Sequence, residues 1–165
     1  MKNNKFNSVL LYTFLLVSSM FIFQSCEKED EGCDDDNISI AGDDESHNAG
    51  QNCMQCHYDG GEGEGCFVVA GTVYDSLQIN TKSSGTIELY TEPNGQGQKV
   101  KTVAIDTKGN FFTTDIFNLE GLYPVAVGTN GARQYMGSAL TSGQCNSCHG
   151  VSTNKIWVNY SNFKI

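Results

Sequence analysis

The chain has 165 residues, a length that suits a single domain, and a formal net charge of -9. The excess of acid excludes the basic surface that phosphate contacts require, so nucleic acid is not an expected partner. The charge is unevenly distributed. Residues 27–45 hold ten of the nineteen carboxylates with only Lys28 in opposition, whereas the chain from residue 46 onward has nine acids and seven bases.

Residues 1–25 have the pattern of a secretory signal, in which Lys2 and Lys5 precede an apolar run that ends at Ser25. The run is too short for a comfortable membrane span. A small residue followed by Cys26 resembles the lipobox of bacterial lipoproteins, which implies that Cys26 becomes the acylated N-terminus. Ordinary cleavage that leaves Cys26 as a free thiol is the alternative.

Residues 26–45 are predicted to be a solvated, disordered tether, because the segment is strongly acidic. It is similar to the acidic export signals that follow the acylated cysteine in Bacteroidetes-type lipoproteins. That resemblance implies an outer-membrane lipoprotein exposed on the cell surface, whereas a plain spacer would leave a domain that faces the periplasm.

Two pentads of the form Cys-x-x-Cys-His occur, at residues 53–57 and 145–149. Seven cysteines and three histidines in this length give about 0.005 such pentads by chance. In this pattern two thiols bond covalently to a haem, and the adjacent imidazole binds its iron. Two haem c groups are therefore predicted, each attached on a short helical turn. The thioethers would be Cys53, Cys56, Cys145 and Cys148, and the proximal iron ligands His57 and His149.

Each haem iron also has a distal position. Beyond the signal segment the residues that could fill this position are His47, Met54 and Met136. Met54 lies inside the first pentad, too close to the attachment turn to reach the opposite face of the haem. His47 and Met136 are therefore the candidate distal ligands, although the sequence does not assign either to a particular haem. A solvated or capping histidine and a core-filling methionine are the alternatives.

When Cys26 is assigned to the lipid and the four pentad cysteines to the haems, Cys33 and Cys66 remain. Outside the cytoplasm such a pair usually forms a disulfide, which would tie the tether to the following segment. Two free or intermolecular thiols are the alternative.

Between the pentads the hydrophobic periodicity changes to two, which indicates short strands separated by turns. A mainly β fold is predicted, a small antiparallel β-sandwich at about residues 66–130 flanked by the two pentad arms. The glycine-rich stretch at 59–65 is predicted to be a mobile loop. The predicted strands are 67–74, 86–91, 99–106, 109–113, 122–127 and a final one near 155–160.

The opening Val69-Ala70-Gly71-Thr72-Val73-Tyr74 and the hairpin Asp106-Thr107-Lys108-Gly109-Asn110-Phe111-Phe112 carry a resemblance to transthyretin-like or carboxypeptidase-regulatory-type sandwiches. At this size the sandwich is small for an independent core, so we expect the haem arms to complete it.

The two pentads resemble those of c-type cytochromes. The resemblance implies that residues 46–165 form a di-haem domain that passes electrons between redox partner proteins and performs no substrate chemistry of its own. If Met136 is not a ligand, one open iron would instead make a haem sensor or a peroxidase-like enzyme. A third alternative is a structural domain stapled by a zinc site of the four pentad cysteines.

Overall fold

The computed structural model describes residue 33 and residues 35–159, so the signal segment and Cys26 lie outside the described residues. The prediction of a mainly β fold is confirmed. Within these residues seven strands form a three-stranded sheet of order β4-β1-β7 and a four-stranded sheet of order β3-β2-β5-β6. The strands are β1 Val69–Tyr74, β2 Thr86–Glu92, β3 Gln96–Ala104, β4 Asn110–Thr113, β5 Tyr123–Val127, β6 Arg133–Tyr135 and β7 Ile156–Trp157.

The strand pairing is antiparallel except at one edge. In the larger sheet, β2 pairs with β3 and β5, and β5 pairs with β6. In the smaller sheet β1 pairs antiparallel with β4, but β7 runs parallel to β1, with Val73 opposite Ile156 and Tyr74 opposite Trp157. A parallel pair needs a long connection, and here the chain from β1 to β7 contains the whole larger sheet and the second pentad.

A single apolar core lies between the two sheets. Burying each of its larger aliphatic or aromatic side chains contributes roughly 1.5–3 kcal/mol to folding. Its buried members are Val69, Val73, Ile87, Leu89, Val103, Ile105, Phe111, Leu122, Ala126, Leu140 and Val158.

All six residues of β1 are buried. Side chains alternate along a strand, so Val69 and Val73 enter the core while Thr72 points the other way. Thr72 is covered there by the segments that carry the pentads, to which it is hydrogen-bonded. This double coverage supports the expectation that the pentad arms complete the sandwich.

The segment predicted as a tether has mostly exposed side chains along its described length, but it is attached to the fold at Ser39, which is buried. Ser39 donates its backbone N–H to the carbonyl of Phe112 at 2.9 Å, and the Ser39 hydroxyl bonds to the carbonyl of Ala104 at 2.7 Å. Ile38 bridges to Thr113. The reason is that β4 is an edge strand whose free polar groups accept a further segment. Cys33 and Cys66 form a disulfide close to this segment.

Strand β6 was not predicted, since three residues with no apolar alternation carry little signal. It lies outside the predicted limits of the sandwich, as does β7. The four-stranded sheet therefore extends almost to the second pentad.

Candidate functional site

The two pentads adopt the same backbone conformation. Each begins with a 3₁₀ turn, Cys53–Gln55 in the first and Cys145–Ser147 in the second. In each, the histidine N–H donates to the carbonyl of the first cysteine, at 3.1 Å for His57 and 2.9 Å for His149. The prediction of short helical turns is confirmed, and two segments far apart in sequence share one geometry.

The fold also brings the two turns together at Thr72 of β1, to which both segments are hydrogen-bonded. Asn146, only 4% exposed, donates to the carbonyl of Gln51 at 2.7 Å and to the hydroxyl of Thr72 at 3.0 Å. A further hydrogen bond of 3.0 Å joins Asn52 to Gln144. The two residues directly ahead of the first turn are thus bonded to the second turn and to the residue directly ahead of it.

The second pentad interrupts a strand. Gly143 accepts a hydrogen bond from Ala70 at 3.0 Å, and Val158 donates one to Tyr74 at 3.1 Å, so both segments lie along the same edge of β1. Between them the chain leaves the sheet and returns as β7. His149 of the second pentad lies in this segment outside the sheet, beside a cavity between the two sheets.

His57 is 8% exposed, and its Nδ1 lies 2.8 Å from the carbonyl oxygen of Glu64. A carbonyl only accepts, so Nδ1 carries the proton and Nε2 of the neutral ring keeps its lone pair for a metal ion. Burial lowers the pKa of His57, the Glu64 carbonyl opposes this, and the nearby His47 lowers it further. The ring is therefore held neutral and correctly oriented for ligation.

The packing around His57 fixes its ring. The imidazole stacks on Phe67 with ring centroids 4.1 Å apart, and Phe67 stacks on Phe112 at 4.8 Å. A Cβ built on Gly63 would lie 2.8–2.9 Å from three ring atoms of His57. The glycine-rich loop therefore wraps the imidazole, a role that the prediction of a mobile loop missed.

His47 lies beside His57, with ring centroids 5.9 Å apart. Metal–nitrogen bonds of about 2.0 Å place two imidazoles that share one metal ion roughly 6 Å apart, measured between centroids. The pairing favours the first pentad over the second as the partner of His47. Asn110 positions the segment by donating to the carbonyl of His47 at 3.2 Å.

The second site is a cavity of about 300 Å³ between the two sheets, at the lower end of ligand-pocket volumes. Cys145, His149 and Met136 all line it, which brings three of the predicted haem-binding residues to one place. Nδ1 of His149 lies 2.7 Å from the carbonyl oxygen of Asn154, so here too Nε2 is left for a metal. The other lining residues are Val69, Ile87, Leu89, Phe111, Pro124, Ala126, Gln134, Tyr135, Thr153, Asn154, Lys155, Ile156 and Trp157.

The four pentad cysteines form no disulfide within the described residues. Burial raises the pKa of Cys145 to about 12, and the nearby Cys53 adds to the rise. Burial also raises the pKa of Cys53. Cys56 is half-buried and Cys148 is exposed.

No group of three or more His, Cys, Asp or Glu placed to hold a metal ion occurs in residue 33 or residues 35–159. The zinc alternative needs all four pentad thiols in one cluster, and the described chain does not form it. A haem makes no such demand, because the porphyrin supplies four of the six iron bonds.

Over the same described part of the chain, no helix has the length and apolar character needed to cross a membrane.

Comparisons with protein-family models, curated proteins and solved structures found no match for this chain. The resemblances to lipoprotein signals, transthyretin-like sandwiches and c-type cytochromes therefore remain predictions. Function has to be argued from the residues of the two pentads and their surroundings.

Proposed function

We propose that this chain belongs to the class of small extracytoplasmic haem proteins in which a two-sheet β domain carries covalent haem. Specifically, it is a di-haem electron-transfer protein anchored to a membrane by lipid at Cys26. The observation that carries the proposal is the shared geometry of the pentads. In each, a histidine directly after the second cysteine donates Nδ1–H to a backbone carbonyl and leaves Nε2 for iron.

The residues present fit two haems. Cys53 and Cys56 would form the thioethers of the first, with His57 as the proximal ligand and His47 as the distal ligand. The haem iron, when bound, supplies one-electron oxidation and reduction. The protein's part is to hold the ligands at fixed angles and to keep water from the iron through the stacked Phe67.

The second haem would be held by Cys145, Cys148 and His149, with Met136 as the distal ligand from the end of β6. The cavity walls are mostly apolar core residues of both sheets, as expected for a porphyrin edge. A thioether ligand favours ferrous iron and raises the reduction potential relative to a second imidazole. The two haems would therefore differ in potential and give electrons a direction.

Strand β1 supports electron exchange between the two haems. Thr72, on its outer face, accepts a hydrogen bond from Gly50 ahead of the first pentad, and Val69, on its inner face, lines the second cavity. One strand therefore contacts both the segment ahead of the first pentad and the cavity at the second pentad. This common contact favours electron transfer within the protein over exchange between two isolated carriers.

The proposal includes the cellular context implied by the N-terminus, which lies outside the described residues. A lipid at Cys26 and the acidic segment after it would place the domain on the outer membrane, at the cell surface. Partners would be redox proteins and the membrane, and nucleic acid is not expected, given the net charge of -9.

The test is a haem stain of the purified, exported protein on a denaturing gel, combined with the haem-to-protein ratio. We expect two covalent haems per chain, one after Cys53→Ser/Cys56→Ser and one after Cys145→Ser/Cys148→Ser. Wild-type protein without stainable haem, matured in cells that attach haem to a control cytochrome, would refute the proposal. Zinc found in its place would favour the structural alternative.

A further inference from the structure

The chain ahead of the first pentad is attached to one edge of the smaller sheet. Asn37 and Thr114 exchange two hydrogen bonds, at 2.8 Å and 3.0 Å, and residues 37–39 run along the edge of β4 that does not pair with β1. The disulfide between Cys33 and Cys66 closes this attachment covalently. The segment that leads back to the N-terminus therefore leaves the domain at the β4 edge.

The histidine of the first pentad lies next to this attachment. Phe67 stacks on His57 with ring centroids 4.1 Å apart, and on Phe112 of β4 at 4.8 Å. The carbonyl of Glu64 accepts hydrogen bonds both from His57 at 2.8 Å and from the side chain of Asn37 at 3.4 Å. His57 thus shares a hydrogen-bond acceptor with the attached segment and packs toward the same strand.

The second pentad lies at the opposite edge of this sheet. Ala70 of β1 donates to the carbonyl of Gly143 at 3.0 Å, and β7 pairs with the same edge of β1. Across the sheet the order is therefore residues 37–39, β4, β1 and the segment at Gly143, which leads into the second pentad. Three strand spacings of about 4.8 Å, or roughly 14 Å in all, separate the two outer segments.

The link from the lipid to this attachment is short. Cys33 is seven residues after Cys26. A chain spans at most about 3.6 Å per residue in any conformation, so the link reaches no farther than about 25 Å. A folded domain of about 125 residues is roughly 35 Å across, because its radius of gyration is about 14 Å. The edge that holds Cys33 therefore cannot be the part of the domain farthest from the membrane.

We propose that the first pentad lies nearer to the membrane than the second, and that its electron donor is a membrane-bound redox protein. The inference rests on the proposed function, because it requires lipid at Cys26 and haem at both pentads. The donor is oxidised by one electron at the first pentad, and an acceptor away from the membrane is reduced by one electron at the second. Met136 as a sulfur ligand gives the second site the higher potential, which favours this direction. Cys148 is exposed, which leaves the second pentad accessible to such an acceptor.

The test uses the exported, lipidated protein on vesicles whose lipid headgroups carry a fluorescent dye, because haem quenches a nearby dye by energy transfer. Cys145→Ser/Cys148→Ser retains only the first haem, and Cys53→Ser/Cys56→Ser retains only the second. We expect quenching per bound chain to be roughly twofold or more stronger from the first haem, since the two edges lie about 14 Å apart. Equal quenching, or stronger quenching from the second haem, would overturn the inference.

A longer link is the matched control. Insertion of about twenty glycine and serine residues after Glu29 lies outside the described residues and gives a flexible link that lets the domain turn freely. The difference in quenching between the two single-haem proteins should then disappear. A difference of unchanged size would show that the length of the link does not set the orientation, and would overturn the inference.

A second readout keeps both haems in the wild-type chain. Gadolinium held by chelating lipid headgroups should speed the electron-spin relaxation of the ferric haem at His57 more than that of the haem at His149. Equal relaxation of the two haems on vesicles would overturn the inference and leave the proposed function standing. Stained protein that does not float with vesicles would instead refute the lipid anchor at Cys26, and the inference would fall with it.

Discussion

Asn146 and Thr72 are joined by two hydrogen bonds that fix the second pentad to the centre of β1. The Asn146 side-chain oxygen accepts the Thr72 backbone N–H at 3.1 Å, and its amide nitrogen donates to the Thr72 hydroxyl at 3.0 Å. The same amide nitrogen reaches Gln51, ahead of the first pentad, at 2.7 Å. Asn146, at one of the two unspecified positions of the second Cys-x-x-Cys-His pentad, thus connects the two pentads.

Replacing Asn146 by alanine should therefore destabilise the protein strongly. Asn146→Ala leaves the buried N–H of Thr72 without its acceptor and removes the hydrogen bonds to the Thr72 hydroxyl and the Gln51 carbonyl, at a cost of about 2–4 kcal/mol in the free energy of unfolding. Asn52→Ala, which removes the exposed hydrogen bond to Gln144, should cost under about 1 kcal/mol. Urea denaturation measures both variants. Equal effects would mean that Asn146 does not connect the two turns energetically.

Met136 is tested by replacing it with leucine, which keeps its volume and removes the sulfur. Met136→Leu should leave folding within about 1.5 kcal/mol of wild type, convert one ferric haem from low to high spin and lower one potential. Met54→Leu is the control and should leave both spectra unchanged. A low-spin spectrum that survives in Met136→Leu would remove Met136 from the ligand set. A single potential for both wild-type haems would count against mixed ligation.

His47 is predicted to serve the first haem because its ring lies beside His57. In the Cys145→Ser/Cys148→Ser background, where only the first haem remains, His47→Ala should produce a high-spin ferric spectrum, and added imidazole should restore the low-spin form. If His47→Ala changes only the haem retained in Cys53→Ser/Cys56→Ser, the ligand belongs to the second haem instead.

Gly63 sets the position of the His57 ring. In Gly63→Ala the new methyl group would meet three imidazole atoms at 2.8–2.9 Å, so the ring must move and its hydrogen bond to Glu64 must weaken. We expect an altered spectrum and potential for one haem. Gly137→Ala, where an added Cβ has nothing within 4 Å, is the control. Identical spectra for the two variants would contradict the role assigned to the glycine-rich loop.

Glu88 should make stability depend on pH. Partial burial opposes ionisation, but hydrogen bonds from Lys99, Tyr90 and Arg133 prevail and lower the pKa of Glu88 below its ordinary 4.5. The ionised carboxylate therefore stabilises the fold above that pH, and the contribution is lost as the pH falls through the lowered pKa. Glu88→Gln should cost about 1–2 kcal/mol at pH 7 and progressively less toward pH 3 in urea denaturation.

The control for Glu88 is Asp115→Asn, which breaks the more exposed ion pair with Lys101. Its effect at pH 7 should be smaller than that of Glu88→Gln. A Glu88→Gln penalty that stays constant from pH 7 to pH 3 would show that the charge of Glu88 contributes nothing.

The local features of the fold could be predicted from the amino-acid sequence. The pentads predict both 3₁₀ turns. Alternating apolar and β-branched residues, which lie within a few positions of one another in the sequence, predict strands β1, β2, β4 and β5. These are short-range patterns, so each segment carries enough information to predict its own conformation.

The way in which these segments meet could not be predicted from local sequence patterns. No local pattern indicates that β7 returns parallel to β1, that Asn146 reaches Gln51, or that Met136 and His149 line one cavity. Each of these contacts joins residues that meet only when the whole chain has folded. Burial of the surrounding segments against β1 favours this path of the chain over others. The pentads specify the chemistry, and the sandwich sets where the two sites lie relative to one another.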